Sequence, residues 1–183
     1  KPISFEVFAD DIELMEAQAL EISTWGKNVN VKIPITNTEG KSTVDLLKKL
    51  SDKGVVCNVT AIFTLEQVNS VLEVLNVKIP AILSIFAGRI ADSGVDPIKI
   101  MRDSVELAKS KPNASILWAS TRELLNIFQA EKAGCQIITV PHDILKKLSG
   151  IGKKPEQNSL ETVSMFYEDA KAAGYTIKIK NEI

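Results

Sequence analysis

The chain has 183 residues, 45% of them hydrophobic and 25% charged, with a formal net charge of −1 at pH 7. This is the composition of a globular domain long enough to enclose a sizeable core. It supplies no basic field for a nucleic-acid backbone and no polybasic membrane patch, and no apolar run approaches the roughly 18 residues needed to span a bilayer.

In chain order, "ISFEVFA" (3–9) reads as a strand, and Asp10 or Asp11 then caps a helix whose Ile12, Met15, Ala19 and Ile22 form one apolar stripe. "VNVKIPI" (29–35) is the second strand, followed by a helix through Val44, Leu47 and Leu50 that Gly54 closes. "VVCNVTAIF" (55–63) is the third, and Thr64 with Gln67 has the spacing of a capping box for the next helix. "PAILSIFAG" (80–88) leads through a Gly/Asp-rich loop to Asp96-Pro97, a cap and a first-turn proline. "ASILWAS" (114–120) precedes a helix from Thr121 to Ala133, and "CQIITVP" (135–141) precedes a short helix near Ile144 to Leu148. Glycine and proline mark a linker at 149–155, and an amphipathic helix follows over about 159–173.

Strands alternating with helices imply parallel strands joined by right-handed crossovers, in a doubly wound sheet or a (βα)8 barrel. No G-x-G-x-x-G follows any strand, which weighs against a dinucleotide fold. Polar residues interrupt the strands at Glu6, Lys32, Asn58, Thr60, Ser84 and Ser120, opposite the aliphatic face. Side chains of that kind converging from several strands describe the mouth of a barrel, so a (βα)8 barrel is expected. Lys32 is the sharpest case. Val29, Val31, Ile33 and Ile35 alternate toward a core, so Lys32 points the other way with Asn30 and Pro34. On a solvent face it would be ordinary; enclosed, its charged form is disfavoured and it becomes an amine nucleophile.

The blocks "NVKIPIT", "CNVTAIFT", "SIFAGRIADSG", "ILWASTRE" and "GCQIITVP", in this order and spacing, resemble the transaldolase family, which includes the fructose-6-phosphate aldolases. The resemblance covers about residues 3–145 and implies a (βα)8 barrel in which a strand lysine, here Lys32, forms a Schiff base with the ketone of a sugar phosphate. It implies that Asn58 and Thr60 flank the imine, and that Thr60 holds the catalytic water or the carbinolamine hydroxyl. Glu6 matches the glutamate with which transaldolases activate water, where the aldolases carry glutamine. Phe86 matches the transaldolase phenylalanine, where the aldolases tend to have a proton-transferring tyrosine. Ser84, Arg89, Ser120 and Arg122 match the phosphate-binding set; an arginine fork suits that anion.

The implied activity is transfer of a dihydroxyacetone unit from sedoheptulose 7-phosphate to glyceraldehyde 3-phosphate in the pentose phosphate pathway. Fructose-6-phosphate aldolase activity and a non-catalytic phosphosugar-binding barrel are the alternatives. By this resemblance the chain starts at the family's third strand, at Lys1 rather than a methionine, so residues 1–150 are expected to supply barrel strands three to eight. The two absent βα units carry the family's cleavage aspartate and a donor-holding asparagine. Residues 151–183 form a linker and a helix that packs on the barrel or a neighbouring subunit of a homo-oligomer. No cofactor or metal is expected. Cys57 and Cys135 read as buried free thiols in a cytoplasmic protein, His142 as incidental, and Trp25 and Trp118 as packing residues.

Overall fold

The structure, a computed structural model, describes residues 1–179; positions 180–183 of the expected C-terminal segment lie outside the described residues. Six strands, β1 (Ile3–Glu6), β2 (Val29–Pro34), β3 (Cys57–Ile62), β4 (Ala81–Ile85), β5 (Ala114–Trp118) and β6 (Ile137–Ile138), form one sheet. Between them run α1 (Ile12–Ser23), α2 (Val44–Asp52), α3 (Leu65–Val74), the short α4 (Ala87–Asp92), α5 (Ile98–Ala108) and α6 (Leu125–Ala133). After β6 come α7 (His142–Leu145) and α8 (Pro155–Ala172).

Strand order decides between the two architectures that periodicity leaves open. A doubly wound sheet reverses its order at a switch point. Here all pairings are parallel and the order is strictly β1-β2-β3-β4-β5-β6. Right-handed crossovers that always advance in one direction put every helix on the same face of the sheet, as in the wall of a βα barrel. The six strands form an arc of such a wall, with β1 and β6 as its edges among the described residues.

The core lies between the arc and its helices. Val31, Ile33, Val59, Leu83, Ile85, Ile116 and Trp118 are inaccessible on the strand side, as are Ala19, Leu47, Leu50, Val68, Val71 and Met101 on the helices. Each large aliphatic so enclosed contributes on the order of 1.5–3 kcal/mol. Three caps are expected from the sequence; at α5 the Asp96 carboxylate accepts from the Ile98 N–H at 2.9 Å, with Pro97 just before the helix, and the other two are formed as well. The Asp11 carboxylate accepts from the Leu14 N–H at 3.0 Å. Thr64 accepts from the Gln67 N–H at 3.2 Å while the Gln67 side chain accepts from the Thr64 N–H at 3.2 Å, a reciprocal pair that fixes the start of α3.

Several elements depart from expectation: β6 is shorter than the stretch read as a strand over 135–141, and the helix expected near Ile144 to Leu148 starts at His142. The Gly/Asp-rich loop after β4 contains α4. The helix expected from Thr121 begins at Leu125, because the Asn126 side-chain oxygen accepts from the N–H groups of Arg122 at 2.9 Å and Glu123 at 3.1 Å and holds the preceding residues as a turn. α8 begins at Pro155 rather than near 159, with proline in its first turn. The chain divides into two compact units, one ending at Leu145 and one starting at Lys146. In the second, α8 leaves Leu160, Val163, Phe166 and Tyr167 exposed. Among the described residues no helix is long and apolar enough to cross a membrane.

Candidate active site

With the aliphatic side chains of each strand turned to the helices, period-two alternation sends the polar ones to the concave face. A cavity of about 410 Å³ lies there, lined by Lys32, Asn58, Thr60, Ser84, Phe86 and Arg122 among others. Parallel register brings Glu6, Lys32 and Asn58 abreast on β1, β2 and β3. The Lys32 ammonium donates to the Glu6 carboxylate at 3.0 Å, with side chains 30% and 40% exposed. Lys32 is therefore neither sealed in the core nor free in solvent: it stands at a cavity wall, paired with a carboxylate.

Beside it the floor is hydrogen-bonded across three strands. Ser84 on β4 donates to the Asn58 side-chain oxygen at 2.7 Å, and the Asn58 amide donates to the Ser4 hydroxyl at 3.0 Å. The one O–H of Ser84 is thus committed to orienting Asn58 rather than turned toward an incoming anion. Thr60, one alternation further along β3, is 2% exposed and its hydroxyl has no hydrogen-bond partner among the described residues. A buried hydroxyl without a partner costs roughly 1–3 kcal/mol, and this one lines the cavity. Immediately after it the β3–β4 register shifts and Ala61 takes a left-handed φ of 58°, the signature of a bulge that re-aims a strand beside a site.

The remaining candidates follow the C-terminal ends of β4 and β5, where barrel sites are built. Phe86 presents an apolar ring to the cavity, and the Arg89 guanidinium lies 5.2 Å from that ring's centroid. Ser120 holds a φ of 63°. Arg122 lies three residues before α6, not within its first turn, and its side chain lines the cavity. Its guanidinium is held by Asp92 through Nε at 3.1 and 3.2 Å and Nη2 at 2.5 Å. That contact holds the Asp92 carboxyl below its usual range and raises the Arg122 guanidinium. All nine side chains picked out in the sequence belong to this face: eight line the cavity, and Glu6 reaches it through Lys32.

Residues 1–180 match the family described as Transaldolase/Fructose-6-phosphate aldolase. The chain belongs to this family. It is 35% identical to a "Probable transaldolase" of Thermoanaerobacter sp. (strain X514) over 96% of this chain and 76% of that protein. It is 34% identical to a "Probable transaldolase" of Desulforudis audaxviator (strain MP104C), over 81% of this chain and 66% of that protein. A protein of the same description from Methanococcus maripaludis (strain C7 / ATCC BAA-1331) is 34% identical over 80% of this chain and 65% of its own length. Against these last two transaldolase-family proteins the chain spans just under two thirds of the relative's length.

Several contributors escape a reading of the sequence. Ser4 shares parity with Glu6 and could have been taken from that signal. Asp92 and Gly88 carry no comparable signal. A Cβ on Gly88 would stand 1.5 Å from the Ser120 carbonyl oxygen, so only glycine lets α4 approach the turn that presents Ser120 and Arg122. Of the two thiols, burial pushes Cys57 up to about 12 and Cys135 up to about 11. Cys57 is fully buried, whereas Cys135 is only partly so. His142 is exposed; Trp25 is half-exposed but packs edge-on against Phe5, with ring centroids 5.3 Å apart, and Trp118 is fully buried. A second cleft, of about 590 Å³ between the starts of α3 and α5, shares only Arg89 with the site.

Proposed function

We propose that the chain carries the Schiff-base centre of a transaldolase, with Lys32 as the amine that receives a dihydroxyacetone unit from a ketose phosphate. The observation that supports this most is the Lys32–Glu6 pair at 3.0 Å beside the buried, unpartnered Thr60 hydroxyl. Glu6 takes a proton from the Lys32 ammonium, and the free amine adds to the ketone of sedoheptulose 7-phosphate. Glu6 returns its proton to the carbinolamine hydroxyl, which leaves as water with a hydrogen bond from Thr60, giving an iminium. The bond between the third and fourth carbons then breaks, its electron pair passing into the iminium to give an enamine. The hydroxyl proton of the departing erythrose 4-phosphate goes to a carboxylate base, the role that the family resemblance gives to an aspartate. The enamine carbon attacks the aldehyde of glyceraldehyde 3-phosphate, whose oxygen takes the proton back from that base, and water, activated by Glu6, adds to the resulting iminium to release fructose 6-phosphate and regenerate Lys32. Ser120, Arg89 and Arg122 are proposed to hold the phosphate.

Transfer is favoured over simple cleavage by the carbon-only ring of Phe86 in the cavity: a phenol there could protonate the enamine, whereas phenylalanine lets it persist until the acceptor arrives. The test is borohydride trapping with fructose 6-phosphate, followed by intact mass and peptide mapping. A stable adduct on Lys32, absent from Lys32→Met, is expected. A folded wild-type protein that forms no adduct, or an adduct that survives in Lys32→Met, overturns the reading.

A further inference from the structure

We infer that Asp92 is a positioning residue for phosphate recognition: it grips one edge of the Arg122 guanidinium and leaves the other edge to the substrate anion. This inference rests on the phosphate role proposed for Arg122. Its geometric basis is the division of that side chain between two neighbours. Asp92, the last residue of α4, takes Nε and Nη2 at 2.5–3.2 Å, yet only Arg122 of the pair lines the cavity. A guanidinium carries five N–H groups in a rigid fork. With Nε–H and one Nη2–H spent on Asp92, the second Nη2–H and both Nη1–H groups remain, the end-on pair that can meet two phosphate oxygens together.

Two anchors define where that edge lies. The Arg122 main chain is fixed by Asn126, whose side-chain oxygen accepts its N–H at 2.9 Å. The far end of the side chain is fixed by Asp92 across 30 positions of sequence. Without the second anchor, a long side chain that is 49% exposed would have to be ordered by the substrate itself, at the expense of affinity. The opposing effect is repulsion between Asp92 and the phosphate. Asp92 is 51% exposed, so water screens that repulsion, whereas ordering a side chain is not screened. Positioning therefore outweighs repulsion, and loss of the carboxylate weakens binding rather than strengthening it.

The experiment is a double-mutant cycle on the full chain, with fructose 6-phosphate binding followed by NMR titration, which reads millimolar affinities. Asp92→Asn is expected to raise the dissociation constant about tenfold. In an Arg122→Gln background the same change should alter it less than about twofold, because the group it positions is gone. Asp92→Glu, which keeps the carboxylate, should recover most of the loss. Asp92→Ser serves the same cycle if the asparagine variant melts below the assay temperature. An equal effect of Asp92→Asn in both backgrounds, no effect in either, or tighter binding overturns the inference. Wild-type protein that binds no fructose 6-phosphate overturns it together with the proposed phosphate site. Phosphosugar binding with the expected coupling but no borohydride adduct supports the positioning role while refuting the Schiff-base reading.

Discussion

Gly88→Ala sets two physical effects against each other with opposite signs. Gly88 lies within α4, and helix propensity alone favours alanine there by about 1 kcal/mol. The surroundings argue the other way. The added Cβ would lie 1.5 Å from the Ser120 carbonyl oxygen, 2.7 Å from its carbonyl carbon and 3.1 Å from Cγ of Arg122. Two of these three obstacles are backbone, and reaching ordinary contact requires a retreat of about 2 Å. The retreat is resisted by the Gly88 N–H, which donates to the Ala119 carbonyl at 3.3 Å, and by the Ala119 N–H, which donates to Ile85 at 2.8 Å. Overpacking of this kind costs about 1–3 kcal/mol and more where backbone must shift, so a net loss of about 2–3 kcal/mol is expected. At about 2–4 °C per kcal/mol for a chain of this size, the melting temperature should fall by about 5–10 °C. Because the displaced atoms belong to the turn that carries Ser120 and Arg122, phosphosugar affinity should fall as well. Circular-dichroism melts and a fructose 6-phosphate titration read the two effects. A variant that melts at or above the wild-type temperature and binds as tightly would refute the close-packing argument.

Two further expectations follow from buried groups. Thr60→Val removes a hydroxyl that has no partner among the described residues, so stability should hold or rise by about 1 kcal/mol while Schiff-base formation slows by about 100-fold. Melting curves beside the rate of borohydride-trappable adduct check both, and a destabilised variant with an unchanged trapping rate would contradict the role given to Thr60. The thiols make alkaline stability asymmetric. Burial raises Cys57 to about 12 and Cys135 to about 11 in the folded protein, so the unfolded chain loses those protons first as pH rises above the ordinary thiol value near 8.5. Unfolding free energy should therefore decline above about pH 9, approaching 1.4 kcal/mol per pH unit for each thiol. Denaturant titrations of wild type and Cys57→Ala between pH 8 and 10.5 measure that slope, which the alanine variant should reduce.

What the sequence shows plainly here is whatever depends on residues close together in the chain. Alternation across Val31, Lys32 and Ile33 identified the concave face, and the Thr64–Gln67 spacing identified a cap, because both are set within one element. The site residues were legible as a set only because their strands share that alternation and their motifs resemble a family. Asp92 was not legible, since its partner lies 30 positions away and the two meet only once α4 and the turn before α6 stand side by side. Gly88 was hidden for the same reason: its meaning is a distance to Ser120, not a local preference. The helix drawn from Thr121 failed because apolar periodicity extends past the point where the Asn126 side chain captures the Arg122 and Glu123 amides. A side chain that competes with the backbone for its own N–H groups leaves little trace in hydrophobic pattern.

Backbone strain supports the location of the site independently of any comparison. Among the described residues, Ala61 and Ser120 are the non-glycine residues with positive φ, at 58° and 63°. A side chain in that region costs on the order of 1–3 kcal/mol, and nothing in the arc's hydrogen bonding demands it elsewhere. Both positions are tied to the same cavity: Ala61 directly follows Thr60, which lines it, and Ser120 itself lines the wall. At Ala61 the strain accompanies the shift of register that leaves Thr60 turned inward without a partner. At Ser120 it lets the chain turn from β5 toward Arg122 while its carbonyl rests against Gly88. The saturated core between strands and helices supplies the rigidity that holds both conformations. An arc built only for stability would relax each of these positions or replace it with glycine. That the strain falls beside Lys32, Thr60 and Arg122 is what a preorganised site on a stable wall predicts.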